Sequence, residues 1–138
     1  MESIIIFDFG SQTTQLIARR IRESGVYTDI VPGDTPADQL DLEQVKGLIF
    51  SGSPSSVYDV DAPLVDQAIY SLGLPILGIC YGFQRITQDL GGSVASLEKR
   101  EFGRSRVEYR ADSPLFSGIP EGFSSWMSHG DSIERLAE

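Results

Sequence analysis

Cysteine is almost absent from this chain: 138 residues hold one, Cys80. A single thiol excludes an internal disulfide and a zinc site built from several cysteines of the chain. It fits a reducing, cytoplasmic setting. Histidine is equally scarce, with His129 alone. Positive charge is short as well: Lys and Arg total 11 against 20 Asp and Glu, for a net charge of −9. A nucleic-acid surface needs a basic patch to neutralise phosphates, so this balance argues against one. Long apolar runs are missing too. The start "MESIIIFDFG" carries a short apolar run behind Glu2 and lacks the basic and long apolar regions of a signal peptide. No stretch approaches the ~20 apolar residues of a membrane helix.

What is present is the composition of a globular domain. Apolar residues at 41% and charged residues at 22% are ordinary for that class, and the length fits one domain, residues 1–138. A chain of this size buries roughly two thirds of the surface its unfolded form exposes, enough for a real core. Short β-branched runs alternate with helical periods. "SIIIFD" (Ser3–Asp8), "VYTDIV" (Val26–Val31), "VKGLIFSG" (Val45–Gly52) and "PILGIC" (Pro75–Cys80) read as strands. "SQTTQLIARRIRES" (Ser11–Ser24) reads as a helix, with Leu16, Ile17 and Ile21 on one face and Arg19, Arg20 and Arg22 solvated. "PLVDQAIYSLG" (Pro63–Gly73) reads as a helix opened by proline and closed by glycine. "YGFQRITQDLGG" (Tyr81–Gly92) reads as another, with Gly91 and Gly92 as its stop.

This alternation implies an α/β fold, a mostly parallel sheet with helices on both faces. Ligands of such sheets bind beyond the carboxyl ends of the strands. Three suggestive stretches lie there: "DFGSQ" (Asp8–Gln12), "SGSPSS" (Ser51–Ser56) and "CYG" (Cys80–Gly82). They are expected to converge on one rim. From Gly91 onward the pattern changes. Arg104–Ala111 alternates like a half-exposed strand, Ser113–Gly122 is turn-rich, and Phe123–Gly130 reads as a short strand.

In "GICYG" the two glycines flank Cys80 at −2 and +2. At a strand–nucleophile–helix turn the strand and helix nearly touch, and a Cβ at either flank would clash. A helix starting at Tyr81 would set backbone N–H groups and a partial positive charge near the sulfur, which favours the thiolate. The bland reading is a lone thiol packed at a strand end; strand, elbow and helix together favour the nucleophile. "SGSPSS" is a small-residue turn, usually only a turn. On the same rim as Cys80 it becomes a candidate oxyanion hole, with the N–H groups of Ser53 and Tyr81 as donors. "DFGSQ" lacks the other kinase motifs, so a magnesium role is rejected. His129 in "WMSHGDS" is either the base of a Cys–His pair or a loop histidine that shapes a pocket.

The elbow "GICYGFQ", the turn "SGSPSS", the opening "FDFGSQTTQLIARRIRE" and "WMSHGD" together resemble the class I (triad) glutamine amidotransferases. The opening and "WMSHGD" resemble the GMP synthase branch of that family, and the likeness covers essentially the whole chain. The resemblance implies the family's flavodoxin-like open sheet. It implies that Cys80 attacks the side-chain amide of L-glutamine, forms a glutamyl thioester and releases ammonia. Ser53 and Tyr81 match the oxyanion positions, Gln84 a residue that holds the amino-acid end of the substrate, and Ser128, Gly130 and Asp131 a segment lining the same pocket. It implies no cofactor in this domain. ATP and Mg2+ would belong to an ATP-pyrophosphatase (synthetase) domain, in the same chain or a separate subunit, that turns XMP into GMP. The parent is expected to be a cytoplasmic homodimer.

Three departures from the family stand out. Gly52–Ser53–Pro54 replaces its usual Gly-Gly-Pro, and serine there is costly if the position needs positive φ. Thr13 replaces a usual tyrosine. No His-x-Glu, the family's source of base and orienting carboxylate, occurs here; His129 matches the pocket histidine instead. The resemblance therefore implies a piece cut before its triad is complete, without turnover of its own. Readings from other classes are a thiol hydrolase on the same elbow, with no preference for glutamine, and a noncatalytic glutamine-binding or regulatory module. Within the family, the alternative is the amidotransferase of anthranilate or carbamoyl-phosphate synthesis.

Overall fold

The computed structural model describes the backbone of residues 1–106, 115 and 124–135, with side chains for residues 1–94 and 115. The chain divides into two compact units, Met1–Ala95 with Ile133–Glu138, and Ser96–Ser132. The first is built on four strands: β1 (Ser3–Asp8), β2 (Tyr27–Pro32), β3 (Val45–Phe50) and β4 (Ile76–Gly78). Their order is β2-β1-β3-β4, and every pairing is parallel. Two α-helices accompany them, α1 (Thr14–Glu23) and α2 (Tyr81–Asp89). The expected α/β architecture is therefore observed.

Burial on both faces explains the unbroken apolar run of β1. Ile5 and Phe7 point to one face, with Leu48, Phe50, Ile69 and Tyr81. Ile6 points to the other, with Ile49 and Ala18. The first face holds an aromatic cluster. Phe7 and Phe9 meet the Phe50 ring edge-on at centroid distances of 5.1 and 5.5 Å, and Phe9 meets Tyr81 at 5.6 Å. Such pairs add roughly 0.5–1.5 kcal/mol each beyond their buried area. They tie β1 and β3 to the first residue of α2.

On the second face α1 is turned slightly from its expected setting. Thr14 and Ala18 are buried and Ile17 and Ile21 pack beside them, while Leu16 is 47% exposed. The inward stripe therefore runs 14-17-18-21, and Leu16 falls outside it. The small Ala18 lets the helix approach the sheet. Gly25, at φ +87°, ends the turn and donates to the Arg22 carbonyl. Arg22 is exposed as expected, but its guanidinium also donates to the Thr28 carbonyl at 2.6 Å.

The helix expected over Pro63–Gly73 is instead a 3-10 segment, Gln67–Ser71. Asp66 is the reason. Its backbone is extended, and its carboxylate accepts from the N–H groups of Ala37 at 2.9 Å and Ala68 at 3.1 Å. With Gly73 at φ +75°, only a short stretch is left to coil. The hydrogen bonds from Ala37 and then Ala68 hold the Asp66 carboxyl below the usual carboxylate range. A depressed native pKa gives stability that is present above the unfolded value and lost as pH falls through the native one. Asp66→Ala should therefore lower the urea midpoint at neutral pH, and the gap to wild type should close below about pH 4. An unchanged gap down to pH 2 would refute this.

β5 (Ser93–Arg106) and β6 (Ser124–Arg135) pair as a two-stranded sheet. β5 starts at Ser93, earlier than the expected Arg104, and residues 107–111 lie outside the described residues. β6 extends the short strand expected over Phe123–Gly130. The turn-rich stretch Ser113–Gly122 lies outside the described residues apart from Leu115. Among the described residues, no helix is long and apolar enough to cross a membrane.

Candidate active site

In this strand order β2 lies on one side of β1 and the chain then crosses to β3 on the other, so the carboxyl ends of β1 and β3 form the switch point where such sheets bind ligands. The three stretches singled out in the sequence meet there. Asp8 ends β1, and its Oδ1 accepts from the Gly10 N–H at 2.8 Å and the Thr14 hydroxyl at 3.2 Å. Ser51 follows β3; its buried hydroxyl accepts from the Phe9 N–H at 3.2 Å and donates to the Gly52 carbonyl. A Cβ placed on Gly52 would touch both the Cys80 Cβ and the Ser11 hydroxyl at 3.6 Å, and one on Gly10 would lie 3.8 Å from the Pro54 ring. The turn after β3 thus lies between the other two stretches.

Cys80 is exposed and sits at the cap of α2 with φ +53° and ψ −116°. A non-glycine residue with such a backbone costs on the order of 1–3 kcal/mol and persists only where its surroundings over-determine it. Here they do. A Cβ on Gly78 would lie 2.6 Å from the Phe83 backbone, and one on Gly82 would lie 2.1 Å from the Phe50 carbonyl oxygen. That carbonyl already accepts from the Ile79 N–H at 2.9 Å. The Gly82 N–H closes the turn on the Ile79 carbonyl at 3.0 Å, and the Gln84 N–H makes a helical bond to Cys80 at 3.1 Å. The elbow expected from glycine spacing is what the backbone forms.

The remaining candidates fall as follows. Ser53 is half-buried in the turn after β3, and its hydroxyl accepts from the Ser55 N–H at 3.1 Å. Among the described residues, positive φ outside glycine occurs only at Gln44 and Cys80, so serine at 53 carries no such strain. Thr13 stands at the N-terminal end of α1 without a side-chain capping bond, its hydroxyl 2.7 Å from that of Ser11. Tyr81 opens α2 at 2% exposure, and Gln84 is half-buried one turn on. Ser128, His129, Gly130 and Asp131 lie on β6; their side chains are outside the described residues.

Sequence reasoning missed a buried polar network behind the elbow. Arg85, 6% exposed, donates from Nε and Nη2 to Asp89 Oδ1 at 3.1 and 2.8 Å, and from Nη1 to the Tyr81 hydroxyl at 3.4 Å. Tyr70 donates to Asp89 Oδ2 at 2.7 Å, and the Tyr81 hydroxyl donates to the Pro63 carbonyl. Burial opposes the charge of Arg85, but its bonds to Tyr81 and Asp89 outweigh that and raise its pKa. Burial raises Tyr81 against the opposing pull of Arg85. Burial, then the bond to Asp89, raises Tyr70. All three therefore keep their protons at neutral pH. The i, i+4 spacing of Arg85 and Asp89 was visible in the sequence, but nothing there distinguished it from a solvated helix pair.

Residues 5–138 match the family described as glutamine amidotransferase class-I, and the chain belongs to it. It is 55% identical to a GMP synthase (glutamine-hydrolyzing) of Chlorobium chlorochromatii, a match covering 100% of this chain and 27% of that protein. Against the enzyme of the same name from Aquifex aeolicus it is 52% identical, over 98% of this chain and 26% of that one. The chain thus spans about a quarter of the length of these curated relatives. A crystal structure of a candidate GMP synthase component from Thermoplasma acidophilum superimposes with TM-score 0.79 at 31% identity, covering 100% of this chain and 69% of that one. A glutamine amidotransferase from Thermotoga maritima shares the fold with TM-score 0.71 at 20% identity, covering 98% of this chain and 63% of that one.

Proposed function

We propose that this chain is the glutaminase domain of a GMP synthase, and that Cys80 is its nucleophile. The observation carrying this reading is the backbone of Cys80, held at φ +53° between two glycines that have no room for a Cβ, on the rim where three loops meet. The Cys80 thiolate adds to the side-chain carbonyl carbon of L-glutamine, and the carbonyl π pair moves to oxygen. The main-chain N–H groups of Ser53 and Tyr81 stabilise that oxyanion. The C–N bond then breaks, nitrogen takes a proton, and ammonia leaves a glutamyl thioester. Water hydrolyses the thioester to glutamate and returns the thiolate. Gln84 holds the amino-acid end of the substrate, and Ser128, Gly130 and Asp131 line its pocket.

Ammonia passes to an ATP-pyrophosphatase (synthetase) domain, which uses ATP and Mg2+ to adenylylate XMP and aminate it to GMP in the cytoplasm. Relatives of the same name with the same N-terminal quarter support this reading. The parent is proposed to be a homodimer. A diazoketone analogue of glutamine should label Cys80 in the full-length enzyme, and labelling that survives Cys80→Ala refutes the assignment. His129 is proposed as a pocket residue, and no His-x-Glu occurs in the chain. The 138 residues alone should release ammonia at least about 1,000-fold more slowly than the full-length enzyme, because a triad's members act as a unit. Robust release that disappears in His129→Ala would restore His129 as the base.

A further inference from the structure

We propose that the buried Arg85–Asp89 pair positions the oxyanion site, acting on Tyr81 through its hydroxyl. This rests on the reading above, in which the N–H groups of Ser53 and Tyr81 receive the developing negative charge. Those two donors belong to different segments. Ser53 lies near the start of the loop that leaves β3 and passes through Pro63, while Tyr81 heads α2. The Tyr81 hydroxyl closes the gap by donating to the Pro63 carbonyl, with its oxygen also accepting from Arg85. Asp89 fixes Arg85 through two donors, and Tyr70, in the 3-10 segment beyond Pro63, fixes Asp89 in turn. Tyr58, in the same loop as Pro63, adds a bond to the Val94 carbonyl at 2.6 Å and one to Gln88 on α2 at 3.4 Å. The loop is thus laced to α2 at several points, and the Tyr81 bond is the one nearest the elbow.

Stability alone is a poor reason for such a pair. Burying two charges costs about as much as their attraction returns, and apolar residues of the same size would pack as well. A charged network in which every bond is made does something apolar packing cannot: it specifies one geometry. The planar guanidinium suits this task, since one side chain meets a carboxylate and a phenol in fixed directions. Oxyanion donors gain from such fixing because a small misplacement weakens them only when charge develops.

The test uses the full-length enzyme with Tyr81→Phe, Arg85→Met and Arg85→Lys. Tyr81→Phe removes one oxygen and leaves the ring, so folding is preserved. Tyr81→Phe and Arg85→Met should lower kcat for glutamine hydrolysis about 10- to 100-fold with KM changed less than about 3-fold, and Arg85→Lys should recover part of the loss. Glutamate γ-semialdehyde adds reversibly to the thiolate, placing the former carbonyl electrons on oxygen, so its inhibition should weaken by the same factor as kcat. Alkylation of Cys80 by iodoacetamide displaces iodide and creates no oxyanion, so its rate should not change. A kcat within about 2-fold of wild type in both Tyr81→Phe and Arg85→Met would overturn the proposal. So would a lower kcat with semialdehyde affinity intact, or alkylation falling in parallel. Failure of the underlying reading shows separately, as a wild-type enzyme that the semialdehyde does not inhibit, and it overturns both.

Discussion

Cys80→Ala in the full-length enzyme should lower glutamine-dependent turnover about 10⁵-fold, or roughly 7 kcal/mol of transition-state stabilisation. The size follows from the proposed chemistry. Without the sulfur there is no covalent route, and water must attack an unactivated amide directly. No second thiol among the 138 residues can substitute. Alanine also removes the side chain without disturbing packing, since Cys80 is exposed. Stability should therefore stay near wild type, because alanine keeps the Cβ and with it the same backbone strain at φ +53°. On the proposed function, amination supplied with ammonium salt should continue, because the proposed synthetase site lies outside these 138 residues. Residual glutaminase activity above about 1% of wild type would remove Cys80 from the mechanism.

The second large effect is structural. Gly82→Ala should cost upwards of about 3 kcal/mol, the top of the range for overpacking. The added methyl would lie 2.1 Å from the Phe50 carbonyl oxygen, a backbone atom already held by Ile79. Neither the strand nor the helix can yield without opening the elbow, so activity should fall with stability. Gly25→Ala is the matched control. It has the same added atom, open space around it and φ +87°, so it should cost only about 1 kcal/mol of backbone strain. Urea unfolding of the two variants separates collision from strain, and equal midpoints would contradict the packing argument.

Much of the site was legible because its signals are local. A glycine two residues either side of Cys80 states a steric requirement that holds wherever strand meets helix, and the structure reproduces the collision at both flanks. The buried strands were equally legible, since Ile4 to Phe7 can be apolar throughout only if both faces are covered. Other features depend on neighbours distant in sequence. The helix expected over Pro63–Gly73 gave way to the short 3-10 segment because Asp66 caps it while binding the N–H of Ala37. Leu16 left the buried stripe because Thr14, Ile17, Ala18 and Ile21 face the sheet.

The sequence by itself determined the class of fold, the family and the residue most fit to be the nucleophile. The fold class and the nucleophile rest on spacing along one chain, alternating periods and glycines around a cysteine; the family rests on the resemblance of its motifs. Tertiary structure decided what lies across the space between segments. It brought Ser11, Gly52 and Cys80 together, freed Ser53 from the strain its glycine-like position suggested, and turned Arg85 and Asp89 from an ordinary helix pair into a buried link behind the elbow. The physical reason is burial. Removed from water, an ion pair is tolerated only with its hydrogen bonds made, and which groups are removed is settled only when the loop from β3 folds back against α2.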